Sequence, residues 1–237
     1  MKRTTRVDWE TSFKACEKGR TYVRPEPELE ALTRRLEAPT REDVRVVTAA
    51  LKDDFRKYFV ASLASRTEAL AEPFFTPMLD AAIDEVDPSF NRQFIEPCMI
   101  GFGALRVHTY LVDVLSSGPD PRTVGAENAL YWAEGLFRSD EEAAACAAVL
   151  ARADRRRLRI FVRNPNVDVR RSLIASLRLD ESAYPPSHRP LVATAITIAR
   201  THEDEYIRHR AEMKLAPEET PRLFAALPHR EKSAGPA

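Results

Sequence analysis

Glycine is scarce in this sequence, and its scarcity argues against several classes of nucleotide-binding protein. The chain holds 7 glycines and 17 prolines among 237 residues. Phosphate-binding loops and tight β-hairpins depend on glycine, because their backbones adopt conformations that other residues resist. The G-x-G at Gly101 and Gly103 lacks the third glycine of a dinucleotide-binding motif. The sequence also has no G-x-x-x-x-G-K-[ST] motif, so we expect neither a dinucleotide-binding fold nor a P-loop.

Cysteine and long apolar runs are scarce as well. Cys16, Cys98 and Cys146 are widely separated, odd in number and without a C-x-x-C pair, which argues against a disulfide framework and a thiolate zinc site. The basic first residues lack the apolar core of a signal peptide, and no run approaches the length of a membrane span. We therefore expect a cytoplasmic protein with reduced thiols, no cofactor and no membrane partner.

Net charge is also absent, since Lys and Arg together number 36 and so do Asp and Glu. A neutral protein has no overall field that attracts nucleic acid or an acidic membrane. Arginine outnumbers lysine and alanine is abundant, a bias that indicates a bacterial protein from a GC-rich genome.

Apolar residues recur with a period of 3.6 through most of the chain, and no segment alternates as a half-buried strand does. The sequence thus predicts an all-α fold. Trp9, Phe13 and Cys16 form one face of a short starter helix between Asp8 and Gly19. The other predicted helices cover 27–37, 40–63 with a break near 53–54, 73–86, 98–115, 122–137, 140–153, 155–163, 167–178, 187–201, 204–214 and 217–226.

A short internal repeat is the main signal in the sequence. Segment 164–177 aligns with segment 203–215 at an offset of 38 residues, and residues 42–48 are a third copy. Val44 of the copy at 42–48 and Val169 of the copy at 164–177 are 125 residues apart. This separation is close to three periods of about 42 residues, a repeat length that is typical of helix-pair repeats. The aligned positions are Val44, Arg45, Val169, Arg170, Leu173, Ile207, Arg208 and Ala211.

This pattern resembles the HEAT-repeat family, in which the second helix of each pair follows an Asp/Asn-Pro turn and begins with an acidic residue, Val and Arg. Asn164-Pro165 fits that turn well, and Asp87-Pro88 and Asp120-Pro121 are degenerate copies. The resemblance implies an α-α superhelix of about five helix pairs with a concave surface lined by the second helices. The repeat pattern covers most of 40–227, which we expect to be the solenoid. The short helices at 1–39 are expected to cap it, and the polar segment 228–237 is expected to be a disordered tail.

The repeated residues have distinct expected roles. Val169 and Leu173 share one helix face, which a neighbouring helix pair must cover; the same holds for Val44, Ile207 and Ala211. The arginines that follow, at positions 45, 170 and 208, are expected to bridge to polar groups of the adjacent repeat as an internal ladder. The alternative is that they face a ligand.

Charge is segregated locally even though it is balanced overall. Between residues 152 and 178 the sequence has nine arginines against two aspartates. The planar guanidinium of arginine suits carboxylate and phosphate partners, which favours an acidic protein surface or a nucleic-acid backbone. The alternative is a solvated face paired with acidic neighbours, and we expect only a subset of the run to share one face. The candidate binding residues are Arg155, Arg156, Arg157, Arg163 and Arg171.

Three other groups of residues are candidates for a metal, stacking or catalytic site. His202, Glu205 and His209 have a spacing that brings metal ligands together on a continuous helix, yet we expect His202 in a turn and His209 on the surface. Tyr131 and Trp132, followed by Glu134, offer a stacking site with a carboxylate, although aromatic residues at such positions usually pack in a core. We expect Cys98, Cys146, His108 and Tyr110 to be core residues.

These observations favour a non-enzymatic α-solenoid that binds a macromolecular partner, most of all a protein, through its concave or arginine-rich surface. The alternative is a nucleic-acid-binding protein that grips phosphates with the 152–178 arginines and resembles the HEAT-like DNA-repair glycosylases. A third and weaker reading is a metal-dependent oxygenase with His202 and His209 as ligands, as in the di-iron hydroxylases built on HEAT repeats.

Overall fold

The computed structural model describes residues 8–17 and 26–216, and every regular element in these residues is helical. The predicted all-α class is therefore confirmed. None of the described helices has the length and apolarity that crossing a bilayer requires. The α-helices are α1 (Trp9–Glu17), α2 (Glu26–Glu37), α3 (Arg41–Ala50), α4 (Arg56–Ala64), α5 (Phe75–Ile83), α6 (Arg92–Phe102), α7 (Ala104–Ser117), α8 (Asp120–Glu134), α9 (Asp140–Arg163), α10 (Val167–Ser176), α11 (Arg189–Arg200) and α12 (Glu205–Leu215).

Local sequence explains where many of these helices begin. Thr40 caps α3 in a reciprocal capping box with Asp43, and the hydroxyl of Ser139 accepts from the Glu142 N–H at the start of α9. Asn166 and Asp204 cap α10 and α12 in the same way. Each side-chain oxygen satisfies an amide that the first helical turn leaves unpaired.

The structure differs from the prediction in where two helical segments are interrupted, and both differences have a local cause. The predicted helix 98–115 is interrupted at Gly103, whose φ of 82° ends α6 and starts α7. Only glycine adopts this conformation readily. Conversely, residues 140–163 form the single 24-residue helix α9, because Asp154 is not a strong enough helix breaker to end it. The predicted break at 53–54 is confirmed by the turn between α3 and α4.

The chain divides into two compact units, Met1–Arg178 and Leu179–Ala237. In the described part of the second unit, α11 packs against α12. Val192, Ala195 and Ala199 are buried in this unit, as are Ile207 and Ala211. Three sequence predictions lie outside the described residues: the helix 217–226, the tail 228–237 and the helix end at Gly19.

Within the first unit, consecutive helices form contacting pairs. Helix α5 packs against α6, α7 against α8, and α9 against α10. The second helix of each of these pairs also contacts the second helix of the next, and α7 contacts α9. Helix α8 therefore lies at the centre of this unit, in contact with α5, α6, α7 and α10.

Side-chain contacts join neighbouring pairs at a recurrent spacing. The Asp120 carboxylate at the start of α8 accepts hydrogen bonds from Asn164 Nδ2 at 2.7 Å and Asn166 Nδ2 at 3.0 Å. Arg122 donates to Asp80 at 2.6 Å. The indole N–H of Trp132 donates to the carbonyl of Pro88, 44 residues earlier. These contacts link residues 42 to 46 positions apart, which is close to the repeat length expected from the sequence.

One repeat position is occupied by glycine because two backbones nearly touch there. A Cβ atom at Gly125 of α8 would lie 1.8 Å from the carbonyl oxygen of Ile83, at the end of α5. Gly125 stands where the repeat pattern places valine, so the sequence match is weak at this point. The poor match is the result of a close helix contact.

The predicted burial of the apolar repeat residues is confirmed for four of the five. Val169, Leu173, Ile207 and Ala211 are fully buried, whereas Val44 is only half-buried and Val47 takes the core position of α3.

Among the described residues the arginines of the repeat contact oxygens of their own helix or of the segment just before it, and do not form the internal ladder that was expected. Arg170 donates to the Phe161 carbonyl of the helix before it, and Arg208 to the carbonyls of His202 and Glu203 in the preceding turn. Arg45 pairs with Glu42 of its own helix. Guanidinium groups have many donors and no acceptor, and in these three places they satisfy local oxygens.

Candidate functional site

The arginines of α9 are distributed unevenly around the helix. Successive residues are about 100° apart, so five of its six arginines fall within an arc of about 100°. Arg157 alone points to the opposite side, where Leu158 and Phe161 are fully buried. Only a subset of the nine arginines between residues 152 and 178 was expected to share one face, and five of the six that lie in α9 do so. We call Arg155, Arg156, Arg159 and Arg163 the arginine face.

Three members of the arginine face line one cleft, which has a volume of about 500 Å³. It lies beside the last turns of α9 and α7 and the turn that follows α9. We call it the arginine cleft. Its lining residues are Ser116, Arg156, Arg159, Ile160, Arg163, Asn164 and Pro165.

The four arginines of the arginine face have neither an ion pair nor a hydrogen bond within residues 8–17 and 26–216. Arg156 and Arg163 are exposed, and Arg155 and Arg159 are half-buried. Arg152, one turn earlier, differs because its Nη2 lies 2.9 Å from a carboxylate oxygen of Asp113. The positive charge of the arginine face is therefore not neutralised by neighbouring side chains.

Three hydrogen bonds hold the turn at the end of the cleft. The Oδ1 atom of Asn164 accepts a hydrogen bond from the Asn166 N–H at 2.9 Å, and both asparagine side chains donate to Asp120. The carboxylate of Asp120 is thereby occupied by two amide donors. This arrangement positions Pro165 and the last turn of α9, and with them Arg163.

Arg157 was predicted to bind a partner, and that prediction is wrong. Its side chain is 2% exposed, and its Nε lies 2.8 Å from Glu127 and its Nη2 2.6 Å from Glu134. Nη1 also contacts Asp154 at 3.3 Å. A buried charge requires such partners because it loses its hydration, so Arg157 is committed to the interior of the first unit.

Burial and neighbouring charges shift the pKa values of Arg157 and its acidic partners in opposite directions. Burial alone would lower the pKa of Arg157, but the charges of Glu127 and Glu134 outweigh burial and raise it. Burial raises the pKa of the Glu127 and Asp154 carboxyls, and the Arg157 charge opposes that shift. Arg157 therefore stays charged throughout the physiological pH range.

The Arg157 network lies at one side of a second cleft, with a volume of about 810 Å³. Tyr131 and Trp132 line it and pack edge to face, with ring centroids 5.6 Å apart. Tyr131 is 61% exposed, so the expected core position is wrong for this residue, and Trp132 is half-buried. The carboxylate of Glu134 is held by Arg157.

The remaining predicted binding residue does not join the arginine cleft. Arg171 is exposed on α10, interacts with another group of the protein, and does not line the cleft. Arg159 lines the cleft but was not among the predicted binding residues. Its spacing of three from Arg156 and four from Arg163 is the sequence signal that identifies it.

The histidines near the C-terminal end of the described chain have the expected placement. His202 lies in a turn, where its Nδ1 accepts from the Asp204 N–H at 3.0 Å, and His209 is exposed on α12, as is Glu205. No group of three or more potential metal ligands occurs in the residues that the structure describes.

Several other candidate groups lie in the core. Cys98 and Cys146 are fully buried, and burial raises the pKa of both thiols. His108 is also buried; its Nδ1 lies 2.8 Å from the Ala104 carbonyl and its ring stacks on Phe137. Tyr110, which was expected in the core, is only half-buried, and its hydroxyl donates to Asp80 at 2.9 Å. The Cys16 side chain lies outside the described residues.

Comparisons with protein-family models, with curated proteins and with solved structures find no match for this chain.

Proposed function

We propose that this protein is a non-enzymatic helical-repeat scaffold that binds an acidic segment of a protein partner through the arginine face of α9. The observation that carries the proposal is the set of four arginines, at positions 155, 156, 159 and 163, without an ion pair in the described residues. Most other charged groups of the first unit have a partner close by, as Arg122 and Arg152 do.

The dimensions of the face suit an extended or helical acidic segment. From Arg155 to Arg163 the helix rises about 12 Å. Complementary charges across such a contact raise the association rate and fix the orientation of the partner, even where they add little affinity. Guanidinium groups also bind carboxylates with two parallel hydrogen bonds, which gives the contact directional specificity.

Three observations favour a protein over nucleic acid. The chain has no net charge and hence no long-range attraction to a polyanion. The arginine face is bounded by Asp113 beside Arg152 and by Asp120 beside Asn164. Finally, Arg157 points away from the surface, which shortens the line of cations available to a duplex.

The helix-pair architecture supports the scaffold part of the proposal. Contacts between successive second helices, together with side-chain links 42 to 46 residues apart, are what a HEAT-like repeat array requires. Such an array offers a large surface without needing a catalytic pocket. The buried, unpaired thiols of Cys98 and Cys146 agree with a cytoplasmic location, where thiols stay reduced.

The proposal is tested by fluorescence anisotropy with a labelled peptide of alternating Glu and Ala, and with its Gln-Ala counterpart. The test variant is Arg156→Gln/Arg159→Gln/Arg163→Gln, and the control is Arg41→Gln, an exposed arginine at the start of α3. We expect the acidic peptide to bind the wild type, to bind Arg41→Gln equally, and to lose at least about tenfold in affinity with the triple variant.

Two results would overturn the proposal. One is equal affinity of the triple variant and the wild type for the acidic peptide. The other is tighter binding of duplex DNA or RNA than of the peptide at physiological salt, with a log–log salt slope of about −0.9 for each phosphate contact. That second outcome would establish the nucleic-acid alternative.

A further inference from the structure

Three cations of the arginine face line the same cleft. Arg156, Arg159 and Arg163 occupy positions i, i+3 and i+7 of α9 and line a single cleft. Side chains at this spacing are neighbours on the helix surface. The inference that follows depends on the proposed function, because it specifies the chemistry that the arginine face recognises.

These guanidinium groups are donors without acceptors. Each carries five N–H donors and accepts nothing, and none of the three has a hydrogen bond or ion pair within the described residues. The other polar groups of the lining are already engaged: Asn164 Nδ2 donates to Asp120, and Ser116 Oγ donates to the Val112 carbonyl. The cleft therefore has a surplus of positive charge and of N–H donors.

We propose that the arginine cleft binds a phosphate group carried by a phosphorylated serine or threonine of the protein partner. A phosphorylated side chain has a charge of about −1.5 to −2 at neutral pH and three strongly accepting oxygens. Three guanidinium groups match three oxygens and neutralise that charge, whereas a carboxylate offers two oxygens and a single charge.

The size of the cleft and its surroundings favour a phosphopeptide over a nucleic-acid backbone. A volume of about 500 Å³ holds a phosphorylated side chain together with part of the adjoining backbone. Nucleic acid presents its phosphates in a row, and its affinity grows with the number of separate contacts. Here three arginines line one cleft, and Asp113 and Asp120 lie close to its borders.

The clustered positive charge should make the melting temperature of the free protein depend on phosphate. Like charges held together repel, and an anion that binds only the folded state stabilises it. Inorganic phosphate at millimolar concentration should therefore raise the melting temperature of the wild type and of Arg41→Gln. The triple variant Arg156→Gln/Arg159→Gln/Arg163→Gln should not respond, while its circular dichroism spectrum should match that of the wild type.

The decisive experiment compares three degenerate nonapeptide libraries that differ only at the centre: phosphoserine, glutamate or serine. Anisotropy should give at least tenfold tighter binding of the phosphoserine library than of the glutamate library. Inorganic phosphate should compete for the site. Each single variant Arg156→Gln, Arg159→Gln and Arg163→Gln should weaken binding about tenfold, since each removes charge-assisted hydrogen bonds, and Arg41→Gln should not.

The outcomes separate this inference from the proposed function. Equal binding of the phosphoserine and glutamate libraries, lost in the triple variant, overturns phosphate recognition and leaves the acidic-partner proposal standing. Absence of binding by any acidic or phosphorylated library overturns both. Tighter binding of a single-stranded or duplex oligonucleotide than of the phosphoserine library also overturns the inference, because it assigns the cleft to a nucleic-acid backbone.

Discussion

The substitution Gly125→Ala tests the packing on which the arrangement of α8 depends. The added Cβ would lie 1.8 Å from the carbonyl oxygen of Ile83 and 3.1 Å from its Cγ2. Real Cβ atoms do not approach other heavy atoms closer than about 3 Å, so α8 and the end of α5 would have to separate by more than 1 Å. The obstacle is backbone, which has no alternative rotamer.

Two opposing effects set the expected magnitude. Alanine in the middle of a helix is favoured over glycine by about 1 kcal/mol. Overpacking of a close-packed interior costs about 1–3 kcal/mol and sometimes more, and a contact with backbone belongs at the upper end of that range. We therefore expect a net loss of about 2 kcal/mol in the free energy of unfolding.

Urea unfolding followed by circular dichroism measures this loss, with Gly135→Ala as the matched control. Gly135 ends the same helix with a φ of −86°, and the nearest atom to its Cβ position is 3.6 Å away. Alanine fits there without strain and should stabilise the protein by about 0.4–1 kcal/mol. If Gly125→Ala is as stable as the wild type, the close α5–α8 contact is refuted.

Three further predictions concern the core of the first unit. Leu173→Ala should lower the free energy of unfolding by about 2–5 kcal/mol in urea titrations, because Leu173 is fully buried. Arg157→Met should cost about 3–5 kcal/mol, since it leaves Glu127 buried without a counter-charge; adding Glu127→Gln should recover part of that loss. Burial alone would raise the pKa of Asp43, but hydrogen bonds from Trp9, Thr40 and Arg35 lower it to about 2. The ionised Asp43 should therefore add about 2 kcal/mol to the free energy of unfolding above pH 4, and this contribution should be lost as the pH falls toward 2. Asp43→Asn should remove this pH dependence.

Sequence reasoning succeeds here where the signal is local. The helix starts predicted at residues 40 and 167 agree with α3 and α10, where Thr40 and Asn166 cap amides two or three residues away. The buried positions of Val169, Leu173, Ile207 and Ala211 follow from a periodic pattern that spans one helix turn.

Prediction from the sequence fails where the position of a side chain is set by a contact with a residue far away along the chain. Nothing near Arg157 in the sequence distinguishes it from Arg156, and the acid that holds it in the interior, Glu127, lies 30 residues earlier. The same holds for Gly125, whose contact with Ile83 bridges two helices. The break at Gly103 was missed for another reason, because the apolar pattern continues through it.

Arg157 also explains why the arginine face points outward. Consecutive residues on a helix differ in direction by about 100°, so a rotation of α9 that exposed Arg157 would turn other residues of this arginine-rich stretch toward the core. The ion pairs of Arg157 with Glu127 and Glu134 oppose that rotation, since breaking them leaves two carboxylates without their counter-charge. The buried pairs thus fix the orientation of α9, and as a consequence Arg156 and Arg163 have no ion pair within the part of the chain that the structure describes.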